Sequence, residues 1–163
     1  MSPGLPGSAH MAAAIASLLF GLLVLVDDKG TRTHRAIGAA YVAAMIATNL
    51  TALGVYRLTG QFGPFHALAL LGLATVAGGL LAALRRRPGW LATHYYCMAW
   101  SYAGLLAAAA AEAITRAPLL AGLVHDGRSG MLAGLACVAV FLGLGFVVIP
   151  RLRARALAGF GER

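Results

Sequence analysis

Charged residues are scarce in this chain of 163 residues, where they make up 11% of the sequence and only five are acidic. Long polar stretches are also missing, since 60% of the residues are hydrophobic and the mean hydropathy is +0.80. The core of one small soluble domain cannot bury apolar runs of such length. The composition therefore excludes a soluble globular domain and indicates an all-α membrane protein with several spans.

Cysteine is rare as well, and the two that are present, Cys97 and Cys137, lie inside apolar runs. This placement indicates buried thiols rather than a disulfide framework. The sequence also has no His-Glu-x-x-His helix, no paired Cys-x-x-Cys and no nucleophile elbow. No motif therefore assigns a reaction, and enzymatic activity stays an open question at this point.

Five apolar runs divide the chain, each close to the ~20 residues that cross a bilayer as a helix. We predict one transmembrane helical domain over residues 1–163, with Pro150 ending the fifth span. Short connections predict that the first four helices form an up-and-down bundle. The predicted spans are residues 10–26, 31–55, 65–84, 90–115 and 130–149.

The basic residues set the predicted orientation. The formal net charge is +8, but the 13 basic residues lie in short segments between the spans, which argues against a nucleic-acid partner. Five spans place ten of them on one side of the membrane and only Arg57, Arg116 and Arg128 on the other. We therefore predict an N-terminus outside, a C-terminus inside and the lipid bilayer as the main partner.

Four histidines stand at the starts of predicted spans. His10 and His66 begin spans one and three at the outer side, and His34 and His94 begin spans two and four at the inner side. Spans one and three are diagonal in an up-and-down bundle, as are spans two and four. A six-coordinate b-type haem needs two such opposed imidazoles. The leading hypothesis is a transmembrane electron carrier with bis-histidine haem at His34/His94, and a second such site at His10/His66.

Glu112 is the only carboxylate within a predicted span, where an ionisable side chain is a candidate for function. It follows His94 by 18 residues, which places it about 27 Å further along the helix, at the outer side. His10, His66 and Glu112, joined by His125 from the outer linker, form the alternative: a zinc or iron site that activates water for hydrolysis or serves transport.

Simpler interpretations accompany these hypotheses. A histidine in the first turn of a membrane helix is often only interfacial. Glu112 has an ion-pair partner one turn further on in Arg116. Tyr41, Met45 and Met98 lie on the histidine stripes and are interpreted as packing residues. The third hypothesis is therefore a non-catalytic accessory subunit of a membrane complex.

The segment from Lys29 to Tyr41 has the pattern Lys-Gly-Thr-x-x-His-Arg-x-x-Gly-x-x-Tyr. With Phe65-His66, His94 and Ala111-Glu112, it resembles, over about residues 10–116, a bacterial family of predicted multi-pass membrane proteins of unknown function. The resemblance implies a compact helical bundle in the bacterial inner (cytoplasmic) membrane, marks the histidines and Glu112 as site candidates, and implies no reaction.

A second likeness is architectural. The His-Arg-x-x-Gly step and the diagonal histidines are similar to the two-haem transmembrane cytochromes b that pass electrons from ascorbate, which is an analogy at the level of the fold. Five spans are compatible with a homo-oligomer or with a larger membrane complex. The sequence names no redox partner.

Overall fold

The structure, a computed structural model, describes residues 5–54, 61–116 and 127–158. These residues form five α-helices and no strand, so the prediction of a helical protein is confirmed. The helices are α1 (Leu5–Val26), α2 (Arg32–Ala52), α3 (Pro64–Arg85), α4 (Trp90–Arg116) and α5 (Gly127–Ala158).

The polar connection between α1 and α2 fixes where α2 begins. Gly30 has a φ of 81°, in the left-handed region that glycine tolerates, and so lets the chain reverse. The Thr31 hydroxyl then caps α2 by accepting a hydrogen bond from the His34 backbone N–H at 2.9 Å. On the α1 side, the Lys29 ammonium donates to the Val24 carbonyl at 2.8 Å. These contacts together hold His34 in the first turn of α2.

A second tight connection joins α3 to α4. Arg86 ends α3 in a left-handed conformation with a φ of 45°, and its N–H donates to the Ala82 carbonyl at 3.0 Å. Gly89 follows with a φ of 79°, and α4 starts at the next residue. The antiparallel pair α3–α4 therefore closes within four residues, 86–89.

The helix contacts form a closed ring. Helix α1 packs against α2 and α4, and α3 packs against the same two helices. Among the described residues, no Cα atom of α1 lies within 8 Å of α3, and none of α2 within 8 Å of α4. The pairs α1/α3 and α2/α4 are consequently diagonal. Helix α5 lies outside this ring, where it packs mainly against α4, and its Gly134 also approaches the Phe65 ring of α3.

The centre of the ring holds the main core. Tyr41 and Met45 of α2, Val76 of α3 and Leu105 of α4 are its buried members. A smaller cluster between α4 and α5 is formed by Ala107, Ala111 and Val138.

Glycines bring neighbouring helices close together. A Cβ atom added to Gly79 of α3 would lie 2.5 Å from the Met98 Cε of α4. One added to Gly72 would lie 2.5 Å from the Asn49 Oδ1 of α2. Small residues at such contacts are the usual means by which membrane helices pack, because lipid offers no hydrophobic driving force for their association.

The outer surface suits lipid. Large hydrophobic side chains are exposed along the helices; Val26 and Phe146, for example, are 74% and 71% exposed. Four of the helices, α1, α3, α4 and α5, are long and apolar enough to cross a membrane. Helix α2 is not among these four, so the prediction of five spans is met only in part. Its apolar content is lower because polar residues occupy its buried face, Thr48 and Asn49 among them.

The prediction that Pro150 ends the fifth helix is wrong. Helix α5 continues through Pro150 to Ala158, because a proline removes one backbone donor without preventing the rest of the helix from forming. Next to it, the Tyr95 hydroxyl of α4 donates to the Ile149 carbonyl at 2.7 Å and ties this part of α5 to the bundle. Most of the predicted linker before α5, residues 117–126, lies outside the described residues.

Candidate functional site

His34 lies at the N-terminal end of α2 with its side chain partly buried. Its backbone N–H donates a hydrogen bond to the Thr31 hydroxyl, but its buried ring atom Nδ1 has no hydrogen-bond partner among the described residues. A buried polar atom without a partner loses its hydration without compensation, so such atoms are rare in native proteins and call for an explanation.

The charges around His34 come from two elements. The connection before α2 supplies Lys29 and Asp27, and α4 supplies His94; all three interact electrostatically with the His34 ring. Burial lowers the pKa of the Lys29 ammonium, a shift that the carboxylates of Asp27 and Asp28 oppose. His34 and His94 therefore lie at the same end of the bundle, near enough for an electrostatic interaction.

His94 is held in a defined orientation. Its Nδ1 lies 2.9 Å from the Gly79 carbonyl oxygen of α3, so Nδ1 carries the proton and donates. The Nε2 atom of the neutral ring then keeps its lone pair. The Trp90 ring, one turn earlier, lies 6.5 Å away between ring centres. A backbone carbonyl that fixes the tautomer in this way is the usual support of a metal-ligating histidine.

Gly38 leaves space on the His34 face of α2. A Cβ atom added there would meet no atom of another helix within 4 Å among the described residues, unlike one added to Gly79. Further into the membrane the face closes, because the Tyr41 hydroxyl lies 2.8 Å from the Ser101 Oγ of α4. This buried hydrogen bond joins the two diagonal helices beneath the histidine pair.

His10 of α1 has a structural bond. The His10 Nδ1 atom lies 3.0 Å from the Thr48 carbonyl oxygen and 3.1 Å from the Thr51 hydroxyl, both on α2. About two turns further along α1, the Ser17 hydroxyl lies 3.0 Å from the Thr48 hydroxyl. His10 therefore begins a polar seam between α1 and α2.

His66 has a different task at the start of α3. The Gly63 backbone N–H donates to the His66 Nδ1 at 3.1 Å, which is the reach-back of a capping box. The Phe62 ring stacks on the His66 ring with 5.2 Å between ring centres. Since Nδ1 accepts, a neutral His66 ring carries its proton on Nε2 and offers no lone pair there.

The described residues hold no group of three His, Cys, Asp or Glu side chains that could bind a metal ion. The predicted set of His10, His66 and Glu112 is accordingly not brought together as such a group. Its fourth member, His125, lies outside the described residues, as does the side chain of Arg116, the predicted ion-pair partner of Glu112.

Tyr41 was predicted to have only a packing role, and the structure adds a hydrogen bond to Ser101. Both residues lie on predicted histidine stripes, Tyr41 seven residues after His34 and Ser101 seven after His94. This equal spacing is the signal from which their contact could have been inferred, because seven residues are about two helical turns.

Comparison with known proteins gives one match. The chain matches, over residues 7–152, the family described as "Predicted membrane protein (DUF2306)". No curated protein and no solved structure matches it. The resemblance stated from the sequence is confirmed at the level of a membrane protein family of unknown function.

Proposed function

We propose a function for this chain, which belongs to the DUF2306 family of predicted membrane proteins: it binds one b-type haem between His34 and His94 and carries electrons within the membrane. The observation that carries the proposal is the buried, unpartnered Nδ1 of His34 beside His94. The family match supports an integral membrane protein, and the haem is our inference.

The positions of the two histidines support haem ligation. They lie on the diagonal helices α2 and α4 at the same end of the bundle. Imidazoles from two diagonal helices would offer one axial ligand to each face of a flat macrocycle. His94 is already oriented by the Gly79 carbonyl at 2.9 Å, with Nε2 available. His34 has a buried ring nitrogen without a described partner, and ligation of its ring would give that buried imidazole a role.

The surroundings fit a large planar group at this end of the bundle. Helices α2 and α4 have no Cα atoms within 8 Å of each other, and Gly38 lacks a side chain on the His34 face. The Tyr41–Ser101 hydrogen bond at 2.8 Å would fix the spacing of the two helices below the site. A haem held there would supply one-electron transfer, while the apolar helices exclude water from it.

We place the haem at the inner pair and not at His10 and His66. The His66 Nδ1 accepts the Gly63 amide, so ligation through Nε2 would require this ring to lose its proton or its capping bond. His10 makes an Nδ1-to-carbonyl bond like that of His94, but its diagonal partner His66 has no lone pair at Nε2, so the outer pair lacks a second ligand. The outer pair therefore serves helix packing and capping in our proposal.

The proposal also requires α2 to cross the membrane. Its polar Thr48 and Asn49 are buried within the bundle, whereas Ile46 and Leu50 are exposed, so its lipid-facing side is more apolar than its mean composition. We infer five spans in the bacterial inner membrane, with the N-terminus outside and the C-terminus inside. Reporter fusions at the Gly30 connection and at the C-terminus should both give a cytoplasmic signal; a periplasmic signal at either would contradict this topology.

The test of haem binding is the optical spectrum of the full chain, purified in mild detergent from haem-sufficient bacteria. We expect a Soret band, reduced-minus-oxidised bands of a low-spin b haem and one haem per chain. His34→Gln and His94→Gln should each lose the bands because each removes one axial ligand. His10→Gln is the matched control, since it changes another partly buried histidine of the bundle, and it should retain them.

Two results would overturn the proposal. One is a folded, helical protein without a Soret band after expression with sufficient haem. The other is loss of the bands in His10→Gln but not in His34→Gln. Elemental analysis of the same sample separates the alternative, because stoichiometric zinc without porphyrin would instead favour a metal site.

A further inference from the structure

We propose that the groove at the inner corner between α3 and α4 binds the headgroup of an anionic phospholipid. This inference does not depend on haem binding. The groove has a volume of about 220 Å³. It is lined by Gly78, Leu81, Ala82, Arg85, Arg87, Pro88, Trp90 and Thr93.

The charge of the groove is suited to a phosphate. Arg85 and Arg87 are exposed and have no ion-pair partner among the residues that the structure describes. Arg86 between them is engaged with an aromatic ring of the groove, since its guanidinium carbon lies 5.5 Å from the centre of the Trp90 ring. Two guanidinium groups at one edge can bind a phosphate by charge-assisted hydrogen bonds.

The rest of the groove distinguishes a lipid from a free anion. Leu81, Ala82 and Arg85 follow Gly78 by three, four and seven residues, so the four residues share one face of α3. This face runs from the guanidinium of Arg85 along apolar residues into the membrane part of the helix. A phospholipid whose phosphate binds Arg85 and Arg87 would thus have its acyl chains along an apolar groove.

The position in the membrane agrees with this occupant. Trp90 lines the groove at the start of α4, and tryptophan is enriched at the membrane–water interface. The positive-inside rule places the same corner at the inner leaflet, whose anionic lipids attract basic residues. Charge complementarity therefore favours an anionic phospholipid over a zwitterionic one.

The experiment measures lipid binding to the full chain in neutral detergent by native mass spectrometry. Titration with phosphatidylglycerol should give one saturable lipid per chain, and phosphatidylcholine should bind far more weakly. Removing both charges in the variant Arg85→Gln/Arg87→Gln should weaken phosphatidylglycerol binding about 30-fold, as two basic residues near an anionic surface predict. Arg151→Gln/Arg155→Gln is the matched control, because it removes two exposed arginines from the end of α5, away from the groove. It should change binding less than about twofold.

A second variant probes the groove without changing charge. Ala82→Phe fills the apolar part and should also weaken binding, while a high concentration of inorganic phosphate should not displace the lipid. Equal binding of the two lipids, equal losses in the two double variants, or full displacement by inorganic phosphate would each overturn the proposal.

Within the bilayer, fluorescence provides an independent readout. In Trp100→Phe, Trp90 is the remaining tryptophan of the two in the chain. Brominated phosphatidylglycerol in a phosphatidylcholine bilayer should quench its emission more than brominated phosphatidylcholine does at the same fraction. Equal quenching would contradict a selective headgroup site at this corner.

Discussion

Replacing Gly21 by alanine tests how closely α1 meets the other helices of the bundle. Gly21 is buried, and a Cβ atom added to it would overlap the Tyr102 ring of α4 and lie 3.1 Å from the Tyr41 Cε2 of α2. Neither ring can yield freely, since the Tyr102 hydroxyl donates to the Leu18 carbonyl at 3.2 Å and the Tyr41 hydroxyl is bound to Ser101. The new methyl group must therefore displace an aromatic ring or the helix itself.

The expected cost follows from three contributions. Overpacking a well-packed core costs about 1–3 kcal/mol, and loss of one hydrogen bond between membrane helices costs about 0.6 kcal/mol. Alanine also gains up to about 1 kcal/mol over glycine in helix propensity. Gly104→Ala in α4 is the matched control, because a Cβ atom there would meet no atom of another helix within 4 Å among the described residues. Comparing the two variants cancels the propensity gain and leaves a difference of about 2–3 kcal/mol.

Thermal unfolding in detergent measures this difference. At this chain length, a loss of 1 kcal/mol in stability lowers the melting temperature by about 2–4 °C. We therefore expect Gly21→Ala to melt roughly 4–12 °C below Gly104→Ala. The free, partly buried thiols of Cys97 and Cys137 allow unfolding to be followed with a thiol-reactive dye. Should Gly21→Ala melt at or above the temperature of Gly104→Ala, the close contact of α1 with Tyr102 would be refuted.

Three further substitutions test individual contacts by the same melting assay. Tyr41→Phe removes the hydrogen bond to Ser101 and should destabilise the protein by about 0.6 kcal/mol. The double variant Tyr41→Phe/Ser101→Ala should lose less stability than the sum of the two single variants, and additive losses would contradict the contact. Lys29→Met removes the ammonium that donates to the carbonyls at the end of α1 and should cost roughly 1 kcal/mol of stability, whereas Lys29→Arg should cost less. Equal losses in the two variants would argue against capping of α1 by Lys29. In haem-free protein, His66→Ala removes a capping bond and should cost roughly 1 kcal/mol of stability. His34→Ala removes a buried Nδ1 without a partner among the described residues and should cost less. The reverse order would contradict the capping role of His66 and the unpartnered state of His34 Nδ1.

Much of the fold can be predicted from the sequence, because the lengths of the apolar runs and the residues that separate them are local properties. The Lys29-Gly30-Thr31 segment combines a glycine with a hydroxyl, which are local signals for a chain reversal and a helix cap, and the structure has both. The predicted end at Pro150 is not where α5 ends, because whether a proline ends a helix depends on its surroundings. There the neighbouring helix contributes the Tyr95 hydroxyl, which binds the adjacent Ile149 carbonyl.

The candidate site was less predictable because its chemistry depends on other helices. Helical spacing brings His34 and His94 to the same end of the bundle, and this much follows from the sequence. The tautomer of His94 depends on the Gly79 carbonyl of α3, 15 residues earlier in the chain. No local pattern reveals which backbone oxygen will face a ring. The same holds for His10, whose Nδ1 meets the Thr48 carbonyl of α2.

His34 and His66 show why local position alone does not decide the role of a histidine. Each is the third residue of its helix, three after the capping residue, where a polar side chain normally bonds back to the cap. The His66 ring does so, through the Gly63 amide. The His34 ring does not: Thr31 caps the helix, while the buried Nδ1 of His34 has no partner among the described residues. A side chain that gives up a favourable local bond at a cost in stability is expected at functional sites. This contrast between two equivalent positions is why we place function at His34, beside His94, and a structural role at His66.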